Sequence, residues 1–362
     1  MSGFELQDAA LAAKISAALA REAAGLGRAV SLMEVCGTHT MAIARHGLRR
    51  LLPPNIRLLS GPGCPVCVSA QGDIDRAVEI SRLPGVITAS FGDMLRVRGT
   101  RLGLDGARSA GADVRVVYSP SDAVAIARQN PGKNIVFIGA GFETTAPAIA
   151  AAVLAAQEEN LGNFFVLPLL KLVPPALRAI LSDESAKIDG FLLPGHVSAV
   201  IGVAPYRMLE SEYKIPSVIA GFEPVEILHA VTRLAAKIKA GDASVENAYR
   251  RAVPDEGNPA ALELLYKVFE PANVSWRAIG KLPGSGLMFR AAYGKFDAAQ
   301  KFNIPEMESA EPPGCLCGAV LTGRALPPDC GLFGKECTPA DAVGPCMVSS
   351  EGSCAAWYNY GG

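Results

Sequence analysis

The sequence predicts an α/β protein with two similar domains, each a four-stranded parallel sheet flanked by helices, and a third domain that is mainly helical and loop-rich. Three observations carry this. Between residues 29 and 221, short apolar runs alternate with helical stretches, the rhythm of parallel strands buried on both faces. Strand-end landmarks recur in the two halves. Gly37-Thr38-His39-Thr40 follows the first strand of one half, and Gly141-Phe142-Glu143-Thr144-Thr145 that of the other; Phe91-Gly92-Asp93 and Pro194-Gly195-His196 follow the third strands. Beyond residue 222 the rhythm stops, and six of the nine cysteines fall in the last 48 residues.

The first element is an amphipathic helix. Leu11, Ile15 and Leu19 stand four residues apart, and Glu5, Asp8, Lys14, Arg21 and Glu22 interrupt any signal-peptide-like run. Strands are expected at 29–35, 56–60, 85–90 and 113–118 in the first half. The second half reads as a strand at 134–139, a helix at 144–158, a strand at 164–170, a helix at 174–182, and strands at 190–193 and 217–221. Helices follow at 225–239, 245–253 and 260–269, then a Gly-rich stretch at 282–287 and loops from 293. The expected domains are 28–128, 129–222 with a linker near 129–133, and 223–362 together with the N-terminal helix 1–27.

Half of the 362 residues are hydrophobic and 19% are charged, which suits a large buried core. A net charge of -1 and 6% aromatic residues give no basis for binding nucleic acid or an anionic membrane surface. The longest apolar run, 146–156, is too short to span a bilayer. Nine cysteines without a signal peptide point to the cytoplasm, where clustered thiols serve metals or redox chemistry more often than structural disulfides.

The tail holds Cys315, Cys317, Cys330, Cys337, Cys346 and Cys354, with Gly and Pro beside them and no CxxC. Iron and zinc both favour thiolates; zinc modules usually show two close pairs, so this spacing favours an iron–sulfur cluster over a zinc knot or free thiols. A cubane takes four ligands, which leaves two thiols for a redox pair. Gly61-Pro62-Gly63-Cys64-Pro65-Val66-Cys67 puts a CxxC at a strand end, suited to dithiol–disulfide exchange, the alternative being half of a zinc site. Cys36 ends the first strand, where open α/β sheets bind ligands. It is a candidate nucleophile or metal ligand, with His39 placed to lower its pKa or donate to it; the plain alternative is a buried thiol beside a capping Thr. Glu143, Thr144, Thr145, His196 and Ser198 fall at equivalent strand ends and face a cleft. Helix capping by the threonines and a buried, satisfied His196 are the alternatives. Gly61-Pro62-Gly63 and Gly139-Ala140-Gly141 complete no nucleotide-binding motif.

The combination of Cys36-Gly-Thr-His-Thr40, Gly61-Pro-Gly-Cys-Pro-Val-Cys67, Gly141-Phe-Glu-Thr-Thr145, Pro194-Gly-His-Val-Ser198 and Gly344-Pro-Cys-Met-Val-Ser-Ser-Glu-Gly-Ser-Cys354 resembles the HypD family of hydrogenase maturation proteins over nearly the whole chain, with no motif cysteine missing. The resemblance implies a scaffold for the Fe(CN)2CO unit of [NiFe] hydrogenase, working with the small chaperone HypC and receiving cyanide through HypE. It implies that Cys36 is a ligand of that iron, shared with the N-terminal cysteine of HypC, and that Cys64 and Cys67 are a redox dithiol. It implies a [4Fe-4S] cluster on Cys315, Cys330, Cys337 and Cys354, with Cys317 and Cys346 as the disulfide pair; the last four cysteines are the rival ligand set. In this reading Thr38, Thr40 and His39 can hold cyanide nitrogens, which are acceptors. Two other functions fit the same residues: a cluster-dependent protein disulfide reductase, and a zinc-stabilised binding module.

Overall fold

A computed structural model describes residues 3–183, 186–277, 279–308 and 310–361, with side chains from residue 10 onward. Its strands are β1 (Val30–Glu34), β2 (Ile56–Ser60), β3 (Val86–Ser90), β4 (Asp113–Val116), β5 (Asn134–Gly141), β6 (Phe164–Lys171), β7 (Gly190–Pro194), β8 (Ser217–Ala220), β9 (Val245–Asn247), β10 (Phe269–Trp276) and β11 (Gly280–Phe289). They form two sheets. One has the order β2-β1-β7-β8-β9 and is parallel throughout. The other has the order β10-β11-β6-β5-β3-β4; its last four strands are parallel, and the β10–β11 hairpin joins antiparallel to β6.

The α/β class stands, but the sheets differ from the expected pair of four-stranded parallel ones. They have five and six strands, and each takes two strands from either half of 28–222. A parallel strand needs a long crossover to its neighbour, so local patterning locates strands without fixing their partners. Two further corrections concern the C-terminal third. Residues 245–253, expected as helix, are β9 followed by turns. Asn247 there spends its side chain on Val253 O (2.8 Å) and Asp255 (3.0 Å) instead of leaving a helical ladder. The Gly-rich stretch 282–287 is strand β11. Gly286 has no room for a Cβ, which would lie 2.6 Å from Leu170 O, so this glycine lets the hairpin close onto β6.

Side chains alternate across the parallel strands and feed separate cores. From the first sheet, Val30, Leu32, Leu192 and Val218 point to Leu19 and Ala23 of the N-terminal helix Gly3–Ala24 and to Ile227, Val231 and Leu234 of helix Pro224–Ala240. The opposite face, with Met33, Val35, Leu59, Phe191, Leu193 and Ile219, packs on Leu177 and Ile180 and shares its core with Cys64, Cys67, Cys317, Cys337, Cys346 and Cys354. The second sheet is covered on both faces, by Ile149 and Val153 on one and by Ile74 and Ala77 on the other. Among the described residues no helix is long and apolar enough to cross a membrane.

The strand order places the site. In the first sheet the crossover from β1 leads to β2 on one side, and that from β7 leads to β8 on the other. The C-terminal ends of β1 and β7 therefore meet at a topological switch point, the usual ligand position in such sheets. Cys36 lies just past one strand and His196 just past the other.

Candidate metal and thiol site

Cys36 leaves β1 in extended geometry (φ -148°, ψ 125°) and caps helix Gly37–Arg45. Below it, the buried Glu34 carboxylate accepts from Cys36 N (3.2 Å) and from Thr40 Oγ1 (2.5 Å). Burial pushes that carboxyl up to about 7. Burial also pushes the Cys36 thiol up to about 12, against the backbone N–H groups of His39 and Thr38 that reach its sulfur. A metal ion would reverse this balance by taking the sulfur as thiolate.

The CxxC is bound directly to this turn. Gly61 N donates to Glu34 O (2.7 Å) and Gly37 N to Gly63 O (2.9 Å). Gly63 lies so close that a Cβ would stand 2.2 Å from Cys36 N. Cys64 then caps the short helix Pro65–Val68, its sulfur accepting from Cys67 N (3.2 Å). Burial, and then its bond with Cys67, pushes the Cys64 thiol up. Burial acts on Cys67 in the same sense, but hydrogen bonds with Cys346 and Cys64 outweigh it and bring this thiol down to about 6.

The tail closes over both. Cys67 Sγ lies 3.8 Å from Pro345 O, and the Cys317 and Cys346 sulfurs lie 2.7 Å apart. Cys317 foremost, then Cys354 and Cys67, push the Cys346 thiol up. Thr38 Oγ1 donates to Glu351 Oε1 (2.7 Å), which ties the tail to the Cys36 helix. All six tail cysteines line one small cavity with Leu332, Phe333 and Met347. Burial and the neighbouring Cys317, Cys330 and Cys354 push Cys315 up to about 12, and Val343 N donates to Cys337 Sγ (3.3 Å). Among the described residues no three His, Cys, Asp or Glu side chains are set to hold a single metal ion. A cubane spreads its terminal thiolates wider than one ion does. An all-sulfur donor set around an apolar cavity, with a backbone N–H on sulfur, fits a soft cluster.

His39 departs from its expected use. Its ring turns from Cys36 and meets Gly221 O through Nε2 (2.9 Å), and burial lowers its pKa to about 4, so it is neutral. Only its backbone N–H serves the thiol. His196 is exposed and stacks on Phe222, ring centroids 3.9 Å apart. Ser198 is buried; its hydroxyl donates to Pro194 O (2.7 Å) and lies 3.4 Å from Tyr206 OH. Thr144 is exposed. Thr145 stands at the N-cap of helix Ala146–Glu158 without a side-chain cap bond, folded over Gly141.

Glu143 is buried; one oxygen accepts from Val173 N (2.9 Å), and among the described residues Oε2 has no partner. Burial raises its carboxyl to about 7. A raised carboxyl contributes stability that is present below pH 4.5 and lost as pH rises through 7. Glu143→Gln, which keeps the bond to Val173, is expected to remove that loss. Urea unfolding should show the variant gaining up to about 3 kcal/mol on wild type between pH 4.5 and pH 8. An equal difference at both pH values would contradict this.

Sequence reasoning missed Glu34, Tyr206, Glu351 and Arg277, whose Nε donates to Ser69 O (2.9 Å) at the end of helix Pro65–Val68, as parts of the site. Glu34, an acid inside an apolar strand, and Glu351, an acid between tail cysteines, were the available signals. Tyr206 and Arg277 left no local signal.

With this geometry in place, comparison with known proteins is specific. Residues 10–361 match a family model, HypD, described as the hydrogenase formation hypA family. A hydrogenase maturation factor HypD of Rhodobacter capsulatus is 46% identical over 99% of this chain and 97% of its own. The hydrogenase expression/formation protein HupD of Azotobacter chroococcum is 46% identical over 99% and 96%. HypD of Escherichia coli K12 is 45% identical over 92% and 90%. The chain therefore belongs to the HypD family of hydrogenase maturation factors.

Proposed function

We propose that this chain is the scaffold on which the Fe(CN)2CO unit of [NiFe] hydrogenase is built, in the cytoplasm, together with a HypC-type chaperone and a HypE-type cyanide donor. Cys36 is a ligand of the iron being assembled. Cys64 and Cys67 are the redox dithiol beside it. Cys315, Cys330, Cys337 and Cys354 are the ligands of a [4Fe-4S] cluster, and Cys317 and Cys346 are the disulfide pair between cluster and dithiol. The observation that carries this reading is the clustering of the thiols: Cys317 Sγ lies 2.7 Å from Cys346 Sγ, Cys67 Sγ lies 3.8 Å from Pro345 O beside Cys346, and the CxxC loop is bonded to the Cys36 turn from Gly37 N to Gly63 O.

The residues divide the work. Glu34 and the helix N-terminus hold Cys36 in place; the Thr38 and Thr40 hydroxyls, which donate to Glu351 and Glu34, would have to turn from these partners to serve cyanide nitrogen, for which backbone N–H groups are the other donors. The Cys64–Cys67 dithiol and the Cys317–Cys346 pair can exchange two electrons and two protons, one pair's S–S bond breaking as the other pair's forms. A bound cluster would supply those electrons one at a time. Cys317→Ser and Cys346→Ser are expected to slow hydrogenase maturation at least tenfold. Maturation at the normal rate in both would remove the pair from the electron path. The alternative, a disulfide reductase acting on other proteins, fits less well because Cys64, Cys67, Cys317 and Cys346 are all buried.

A further inference from the structure

Away from the thiols, a cavity of about 560 Å³ opens at the N-terminal end of β6. The buried rings of Phe164, Phe165 and Phe296 line it, and exposed Asn160, Lys295 and Lys301 stand around them. Lys295 Nζ lies 5.1 Å from the Phe296 ring centroid, and Lys301 Nζ lies 5.4 Å from that of Phe165. A ring face attracts an ammonium through its quadrupole and leaves the charge in place. Among the described residues neither lysine makes an ion pair, unlike Lys171, Lys237, Lys239 and Lys281, and no carboxylate lines the cavity. The acid between the two lysines in sequence, Asp297, is turned inward and is 2% exposed. Its Oδ1 accepts from Ala299 N (2.8 Å) and Gln300 N (3.3 Å), and its Oδ2 from Gln300 Nε2 (3.3 Å). Capping helix Ala298–Phe302 therefore occupies the only acid of residues 291–302. Other cavities with basic residues differ. The one at Lys281 carries Glu306, Glu308 and Glu311, and the one at Arg101 carries Asp75 and Glu79.

We propose that this cavity binds a small phosphate compound, with Lys295 and Lys301 as its anion-binding residues. Its volume falls within the range of about 300–1,000 Å³ that small-molecule sites occupy. Its charge selects an anion, because two ammoniums line it and no carboxylate neutralises them. Ammoniums act as point charges and suit a multiply charged tetrahedral oxyanion, whereas bidentate recognition of a planar carboxylate uses the arginine fork. The phenylalanine rings give an organic portion of the ligand an apolar surface. The cavity shares no residue with the thiol site, so the proposal stands apart from the reading of Cys36 and the CxxC.

Isothermal titration calorimetry of the full-length protein with pyrophosphate tests this, at an ionic strength of about 0.1 M, where screening acts over about 10 Å. Wild type should show saturable binding at one site with a Kd below about 1 mM. Lys295→Gln and Lys301→Gln should each weaken binding about tenfold, the loss expected for one charge-assisted contact. Both side chains are exposed, so these variants retain the fold. Lys281→Gln is the control. Its ammonium is paired with Glu306 (2.8 Å) away from this cavity, and the change should alter the affinity less than about twofold. Absence of saturable binding at about 10 mM pyrophosphate would overturn the proposal. Wild-type affinity in either cavity variant would do the same. So would an equal loss in Lys281→Gln, which marks diffuse attraction to surface charge.

Discussion

Cys36→Ala is expected to reduce hydrogenase maturation by about 100-fold or more while leaving unchanged the brown absorbance expected of the proposed tail cluster. The thiol stands just past β1, at the topological switch point of the first sheet. Glu34 holds its backbone N–H, and the amides of Thr38 and His39 reach the sulfur. The alanine keeps the extended cap geometry, so helix Gly37–Arg45 should form as before. None of the six thiols around the tail cavity is Cys36. Maturation assays and a visible spectrum of anaerobically purified protein separate the two functions. Loss of the cluster along with maturation would contradict the division of labour.

Gly63→Ala is expected to be nearly as damaging through a different cause. The added Cβ would stand 2.2 Å from Cys36 N, 2.4 Å from Cys36 Cα and 2.4 Å from Val35 C. All three are backbone atoms, so no side chain can swing aside. The CxxC loop must shift from the Cys36 turn, losing the 2.9 Å bond from Gly37 N to Gly63 O. Overpacking of this kind should destabilise the protein by about 3 kcal/mol, and maturation should fall with the displaced dithiol. Gly132→Ala is the control: a Cβ there meets nothing within 4 Å, and the change should stay within about 0.5 kcal/mol. Equal urea midpoints for the two variants would contradict the close approach.

Local chemistry was legible where it is written in adjacent residues. β2 matches its expected limits because Gly61-Pro62-Gly63 ends it sharply. The strand-end position of Cys36 followed from the apolar run before it and the Gly-Thr after it. Pairing was not legible: β1 lies between β2 and β7, the latter more than 150 residues on. The same limit hid the unity of the site. The tail and CxxC read as separate features, yet Cys67 meets Pro345 across 278 residues. His39 shows the converse error. Its sequence position beside Cys36 suggested a ring partner, but a helix N-terminus aims backbone amides at the capping residue and sends this side chain to Gly221. Arg277 lay beyond reach because a Trp-Arg pair at a strand end carries no signature until the hairpin folds onto the CxxC helix.

The central claim is that iron carrying cyanide and carbonyl is assembled on Cys36 next to the thiol chain. Infrared spectroscopy tests it most directly, on this chain purified anaerobically with its HypC-type partner from cells competent for hydrogenase. Cyanide and carbonyl stretching bands are expected from the wild-type complex and none from Cys36→Ala. Bands that persist in Cys36→Ala, or a wild-type complex without them, would contradict it.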